Sequence, residues 1–131
     1  MADLSSWTVG RLANYLVGVR MQKQIGLIGL GDIGSYVLRK IKEEQNNMDV
    51  SVIYRGGRRQ TLPLEPSIIA DTINDVRKHD ISLMVEMANA DVVKELGVEI
   101  VGFADLLVLS ITALADEKFF HALRAAATRS G

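Results

Sequence analysis

Gly29-Leu30-Gly31-Asp32-Ile33-Gly34 lies directly after an apolar run, residues 24–30, and directly before an amphipathic one, residues 33–45. Three glycines at this spacing carry little information alone. Between a strand and a helix they form a loop with a physical mechanism. Gly29 lets the chain turn sharply off the strand. Gly31 lets the backbone approach an anionic group with no Cβ in the way. Gly34 lets the following helix pack tightly on the sheet. The free N–H groups and the positive end of the helix dipole then favour a pyrophosphate. The alternative is a glycine-rich turn that holds no ligand.

Outward from this loop, strands and helices alternate. Ile25, Leu27 and Ile28 make residues 24–30 the first strand. Ile33, Val37, Leu38 and Ile41 form the apolar face of the helix that follows, with Arg39, Lys40, Lys42, Glu43 and Glu44 elsewhere. Asn46-Asn47 ends it. Residues 50–54 are β-branched and aromatic, hence the second strand. Gly56-Gly57 ends that strand, and Pro63 and Pro66 mark an irregular stretch. Residues 67–78 read as a helix, with Ser67 as N-cap and Ile68, Ile69, Ile73 and Val76 inward. Residues 81–85 and 106–111 read as strands. Residues 90–103 read as a helix with Val92, Val93, Leu96, Ile100 and Phe103 on one side. Residues 116–128 read as a last helix with Phe119, Leu123 and Ala126 facing in.

Continuously apolar strands alternating with amphipathic helices predict an α/β fold, a doubly wound, Rossmann-like parallel sheet covered on both faces. Its crossovers are expected to be right-handed. A ligand is expected at the carboxyl ends of the strands, where their order reverses. That edge would gather residues 29–34, 54–59, 86–89 and 110–113.

The totals agree with one globular domain. The chain has 131 residues, 48% hydrophobic and 24% charged, with net charge −1. A chain of this size buries about two thirds of its unfolded surface. Near-neutral charge gives no general affinity for nucleic acid or acidic membranes. With no cysteine in the sequence, disulfides and thiolate metal sites are excluded. His79 and His121 have no companion at metal-ligand spacing, and no GxxxxGK[ST] loop occurs. Residues 21–131 are expected to be the dinucleotide domain. Residues 1–20 form a separate N-terminal helical extension, with Leu4, Trp7, Leu12, Tyr15, Leu16 and Val19 near helical spacing. A membrane-surface helix and an added leader are the other readings of that segment. The expected location is the cytoplasm.

The end of the second strand reports on the nucleotide. An acid there accepts from the ribose 2′-hydroxyl of NAD. Here Tyr54 is followed by Arg55, with Arg58 and Arg59 close behind and no acid before Glu65. A guanidinium fork matches a 2′-phosphate, so NADP is expected in preference to NAD. A solvated basic turn is the bland alternative. Asp32 stands awkwardly beside a pyrophosphate, and capping the helix is its other reading.

With these pieces in place, residues 22–131 resemble the N-terminal domain of the aspartate dehydrogenase family, relatives of homoserine dehydrogenase. The resemblance lies in three blocks: the glycine loop with its strand, residues 25–34; Leu83-Met84-Val85-Glu86-Met87-Ala88-Asn89; and Leu107-Val108-Leu109-Ser110-Ile111-Thr112-Ala113-Leu114-Ala115-Asp116. It implies an NAD(P)-dependent oxidoreductase that interconverts L-aspartate and iminoaspartate, which feeds pyridine-nucleotide synthesis. It also implies that Gly29, Gly31, Asp32, Ile33 and Gly34 hold the pyrophosphate and that Ala88 and Ser110 line the nicotinamide side. Tyr54 and Arg55 complete the expected cofactor contacts at the end of the second strand.

The chain departs from the family in three places. Arg55 stands where an acid is usual, Thr112 replaces a glycine, and residues 56–66 are shortened or diverged, so that the family's third strand is expected to be missing. Family members also continue into a second domain that carries a catalytic histidine. The expectation is therefore a cofactor half, either a fragment or one part of a split enzyme, inactive without a second domain, with a separate catalytic domain or a homo-oligomer as its expected partner. The rival is a non-catalytic dinucleotide-binding or redox-sensing module. A smaller rival is a homoserine dehydrogenase-like cofactor domain. His79 and His121 fall off the predicted ligand edge and are read as ordinary surface or half-buried histidines.

Overall fold

The computed structural model describes residues 23–44, 48–54 and 69–131. The expected N-terminal helix and Arg55, Arg58 and Arg59 lie outside the described residues. The elements are β1 (Lys23–Ile28), α1 (Asp32–Glu43), β2 (Met48–Tyr54), β3 (Ile69–Ala70), α2 (Ile73–Arg77), β4 (Leu83–Glu86), α3 (Ala90–Ile100) and β5 (Asp105–Val108). A 3-10 helix (Ile111–Ala115) and α4 (Glu117–Ser130) follow.

The strands form one sheet in the order β3-β2-β1-β4-β5. Every pairing is parallel. The order runs outward in one direction from β1 to β3 and in the other from β4 to β5, so the reversal falls between β1 and β4. The predicted parallel sheet covered on both faces is what the chain forms.

Its two faces carry two apolar clusters. Ile25, Leu27, Ile53 and Val85 pack with Leu38 of α1 on one side. Ile28, Val52 and Met84 pack with Val76 of α2 and with Leu96 and Ile100 of α3 on the other. Helices on both faces explain why β1 reads as an almost unbroken apolar run.

The register of β1 on β2 slips once. Ile25 faces Val50, but Gly26 faces Val52, so Ser51 is an extra residue. Such a bulge leaves one residue unpaired and increases local twist. The Ser51 hydroxyl is buried with no hydrogen-bond partner among the described residues.

Four expectations need correction. The third strand is present: Ile69 and Ala70 pair with Ile53 and Tyr54. Of the helix expected over residues 67–78, residues 69–78 hold only α2, capped by Thr72, whose hydroxyl accepts from the Asp75 N–H, while Ser67 and Ile68 lie outside the described residues. Pairing with β2 outweighs helical continuation for Ile69 and Ala70, and Thr72 supplies a proper helix start. The last strand ends at Val108 rather than Ile111, because the Ser110 N–H is drawn to Glu86 and the 3-10 helix begins at Ile111. The inward face of α1 is narrower than its pattern: Leu38 is buried, whereas Ile33 is 61% exposed. Ile33 lies in the first helical turn, where Gly34 takes the place against the sheet.

Candidate functional site

The glycine loop sits at the carboxyl end of β1, beside the end of β4. Gly29 has φ +89°, the left-handed region that favours glycine. Its N–H donates to the Tyr54 carbonyl at 3.4 Å, and the Met87 N–H donates to the Ile28 carbonyl at 2.9 Å. A Cβ on Gly29 would stand 3.1 Å from both the Ala88 Cβ and the Met87 carbonyl oxygen. The turn is thus held between the ends of β2 and β4. It then reverses into α1, and Gly34 meets the back of Gly29.

Gly31 is the N-cap of α1, with extended φ −81° and ψ −155°, and it brings no side-chain cap. Its carbonyl accepts the first helical bond, from the Ser35 N–H at 2.9 Å. The N–H groups of Asp32, Ile33 and Gly34 therefore have no acceptor within the helix. Among the described residues, a Cβ on Gly31 would meet no atom within 4 Å beyond its chain neighbours. Free amides, the dipole of a twelve-residue helix and open space above a glycine suit an anion. Asp32 is the first helical residue and is exposed. The cap is Gly31, which corrects the reading of Asp32 as the capping residue. An acid in the first turn is still favoured by the dipole.

Tyr54 ends β2 opposite Ile28. Burial raises the pKa of its phenol above the usual value, and the negative charges of Glu95 and Asp71 act in the same direction.

The other wall is built from β4 and the segment after β5. Asn89 caps α3, its side chain accepting from the Val92 N–H at 3.0 Å. Ala88 and Ser110, 22 positions apart in the chain, come together on one side chain. Glu86 is 0% exposed. Its Oε1 accepts from the Ala88 N–H at 2.7 Å and from the Ser110 hydroxyl at 2.7 Å. Its Oε2 accepts from the Ser110 N–H at 2.9 Å. The sequence placed Glu86 on the ligand edge without a role. The readable signal was an acid ending the apolar strand Leu83-Met84-Val85.

Thr112 lies exposed in the 3-10 helix, next to the buried Ala113. His79 falls in the turn after α2, ahead of the amino end of β4, and His121 is exposed on α4 with its ring edge-on to Phe120. Neither joins the glycine loop. No group of side chains suited to a metal ion occurs among the described residues. No described helix is long and apolar enough to cross a membrane. A separate groove of about 850 Å³ lies between β5 and α4, lined by Phe103, Leu106, Leu123 and Arg124 among others, and does not include the loop.

Residues 29–131 match the homoserine dehydrogenase NAD-binding domain. The chain is 32% identical over 106 residues to an L-aspartate dehydrogenase of Methanocaldococcus jannaschii, across 77% of this chain and 40% of that protein. It is 28% identical over 113 residues to an aspartate dehydrogenase domain-containing protein of Danio rerio, across 82% of this chain and 40% of that protein. The chain thus spans about 40% of the length of these curated relatives. Among solved structures, aspartate dehydrogenase of Thermotoga maritima shares the fold with TM-score 0.60 at 24% identity, over 82% of this chain and 42% of that one. An engineered D-amino acid dehydrogenase bound to NADP+ does so with TM-score 0.63 at 20% identity, over 83% of this chain and 34% of that one. The sheet order, the glycine loop at its reversal point and the match over residues 29–131 lead to one conclusion: the chain belongs to the homoserine dehydrogenase NAD-binding domain family and is a dinucleotide-binding domain of the aspartate dehydrogenase kind.

Proposed function

We propose that this chain is the cofactor half of a dehydrogenase acting on L-aspartate, with NADP preferred over NAD. When bound, the dinucleotide supplies a hydride acceptor or donor for interconversion of aspartate and iminoaspartate. Gly29, Gly31, Asp32, Ile33 and Gly34 cradle its pyrophosphate. Ala88 and Ser110 line its nicotinamide side. Tyr54 and Arg55 flank the adenosine ribose. The observation that carries the reading is the start of α1, with no side-chain cap, three amides without a helical acceptor and, among the described residues, open space at Gly31.

The substrate class rests on the named relatives. The preference for NADP rests on Arg55, Arg58 and Arg59 after Tyr54. Turnover needs a positioned acid–base group, and the curated relatives extend well beyond the 40% of their length that this chain spans. The reading therefore includes a second domain, or a second polypeptide, that supplies one. Residues 21–131 form the binding domain, residues 1–20 an extension to it, and the location is the cytoplasm.

Fluorescence titration of the 131-residue chain with NADPH and NADH tests binding and preference. A hydride-transfer assay with aspartate, with and without an added catalytic domain from a relative, tests the rest. Binding without turnover alone, and turnover once the domain is added, is the expected result. Binding with no turnover in either case favours a non-catalytic dinucleotide module. Turnover by the chain alone overturns the need for a second domain.

A further inference from the structure

We infer that Glu86 is a positioning residue for the nicotinamide half of the cofactor, an inference that rests on the dinucleotide reading above. Glu86 ends β4 at the point where strand order reverses, and it is fully buried. No cation pairs with it among the described residues. Its two oxygens are instead filled by three donors: Ala88 N–H, Ser110 N–H and Ser110 hydroxyl. A further tie runs from the Leu109 N–H to the Glu86 carbonyl at 3.2 Å. One side chain thereby fixes both segments of the wall.

Packing alone does not call for an acid here. The preceding strand residues are Leu83, Met84 and Val85, and an apolar side chain would fill the same place without a desolvation cost. A buried carboxylate is tolerated when hydrogen-bond donors offset its lost hydration, and three do so here. What the acid adds is geometry. It withdraws the amides of Ala88 and Ser110 into the protein. It also takes the hydroxyl hydrogen of Ser110, whose Oγ then has only lone pairs left to offer.

The cleft is consequently divided by hydrogen-bond polarity. The start of α1 presents donors, which suit phosphate oxygens. The Ser110 side presents an acceptor, which suits a carboxamide NH₂ or a ribose hydroxyl of the nicotinamide half. Glu86 sets that second polarity without facing the ligand itself.

The test separates the two halves of the ligand. Wild-type chain and Glu86→Gln are titrated with NADPH and with 2′-phospho-ADP-ribose, and in parallel with NADH and ADP-ribose. Glutamine keeps the shape but turns an NH₂ toward an N–H or the hydroxyl. The expected result is a loss of at least about fivefold for the nicotinamide-bearing ligands, about 1 kcal/mol. The truncated ligands should change by less than about twofold. Equal losses on both ligand types, or no change on either, overturn the inference and leave the dinucleotide reading intact. If Glu86→Gln does not fold, Glu86→Asp makes the same comparison by keeping the charge while drawing the carboxylate back from Ala88 and Ser110, and again only a selective loss supports the assignment. A wild-type chain that binds none of the four ligands overturns the dinucleotide reading and this inference together.

Discussion

A Cβ atom built on Gly34 would stand 2.6 Å from the carbonyl oxygen of Gly29, so the start of α1 rests directly on the turn that ends β1. In a helix, Gly→Ala ordinarily stabilises by about 1 kcal/mol. Here the added methyl meets backbone, which cannot rotate away, and overpacking of this kind costs about 1–3 kcal/mol. Gly34→Ala should therefore lower the denaturant midpoint. An unchanged or raised midpoint would show that the helix shifts freely on the sheet.

Gly31 gives the opposite expectation. Its backbone is open to any residue, and among the described residues no atom beyond its chain neighbours lies within 4 Å of an added Cβ. Gly31→Val should change stability by no more than about 1 kcal/mol while abolishing dinucleotide binding by filling the space above the free amides. Calorimetric titration beside a denaturation curve measures both. Retained affinity would mean that the loop is only a turn.

Arg55→Asp should move cofactor preference from NADPH toward NADH. A charge-assisted bond to the 2′-phosphate contributes about 1.5–3 kcal/mol before screening. Arg58 and Arg59 can substitute in part. The ratio of the two dissociation constants is expected to shift by at least about tenfold, roughly 1.4 kcal/mol, and by less at high salt. Equal affinity of the wild type for both cofactors, unaltered by the substitution, would make Arg55 a solvated turn residue.

Acid should weaken the fold partly through Asp116. Its carboxylate accepts from the Phe119 N–H at 3.0 Å and pairs with Lys94 of α3 at 3.3 Å. The Phe119 N–H first, and Lys94 next, hold its pKa below the ordinary 3.8. Asp75, held down by Lys78 and Thr72, behaves alike. A depressed folded value means stabilisation that is complete above the unfolded value and is lost as pH falls through the folded one. Melting temperature should therefore drop below about pH 4, and Asp116→Asn should flatten that drop. A variant with the same acid slope as the wild type would remove Asp116 from the account.

The unpartnered Ser51 hydroxyl marks a position where a polar atom can be removed at no loss. A buried, unsatisfied hydroxyl costs about 1–3 kcal/mol. Ser51→Ala should leave the thermal midpoint unchanged or raise it, with the gain limited to about 1 kcal/mol by the small void created. A clear loss of stability would reveal a hydrogen bond for this hydroxyl in solution.

Much of this fold was legible because burial on both faces leaves a strong mark. β1, β2 and β4 stand out as apolar runs, and α1 and α3 carry one-sided stripes. β3 was illegible because its two residues sit inside a stretch, Ile68 to Val76, whose isoleucines also suit a helix. The Thr72 cap could have been read from Thr72 and Asp75 at capping distance. At the site, the glycines announced themselves through spacing. Glu86 did not, since an acid at a strand end normally meets solvent. Its carboxylate is met by Ser110, far along the chain, and no local pattern encodes that meeting.

The slip between β1 and β2 bears on how chain length can vary. Val50 packs on the α1 face and Val52 on the opposite one, although residues two apart in a strand ordinarily share a face. Ser51 is the surplus residue that makes this possible. Removing it would join Val50 to Val52 in plain alternation, with Ile25 still opposite Val50 and Gly26 still opposite Val52. Loss of a neighbouring residue such as Ile53 would instead turn part of the strand over. Position 51 is thus a place where a one-residue deletion, ordinarily ruinous in a central strand, leaves every side chain on its own side.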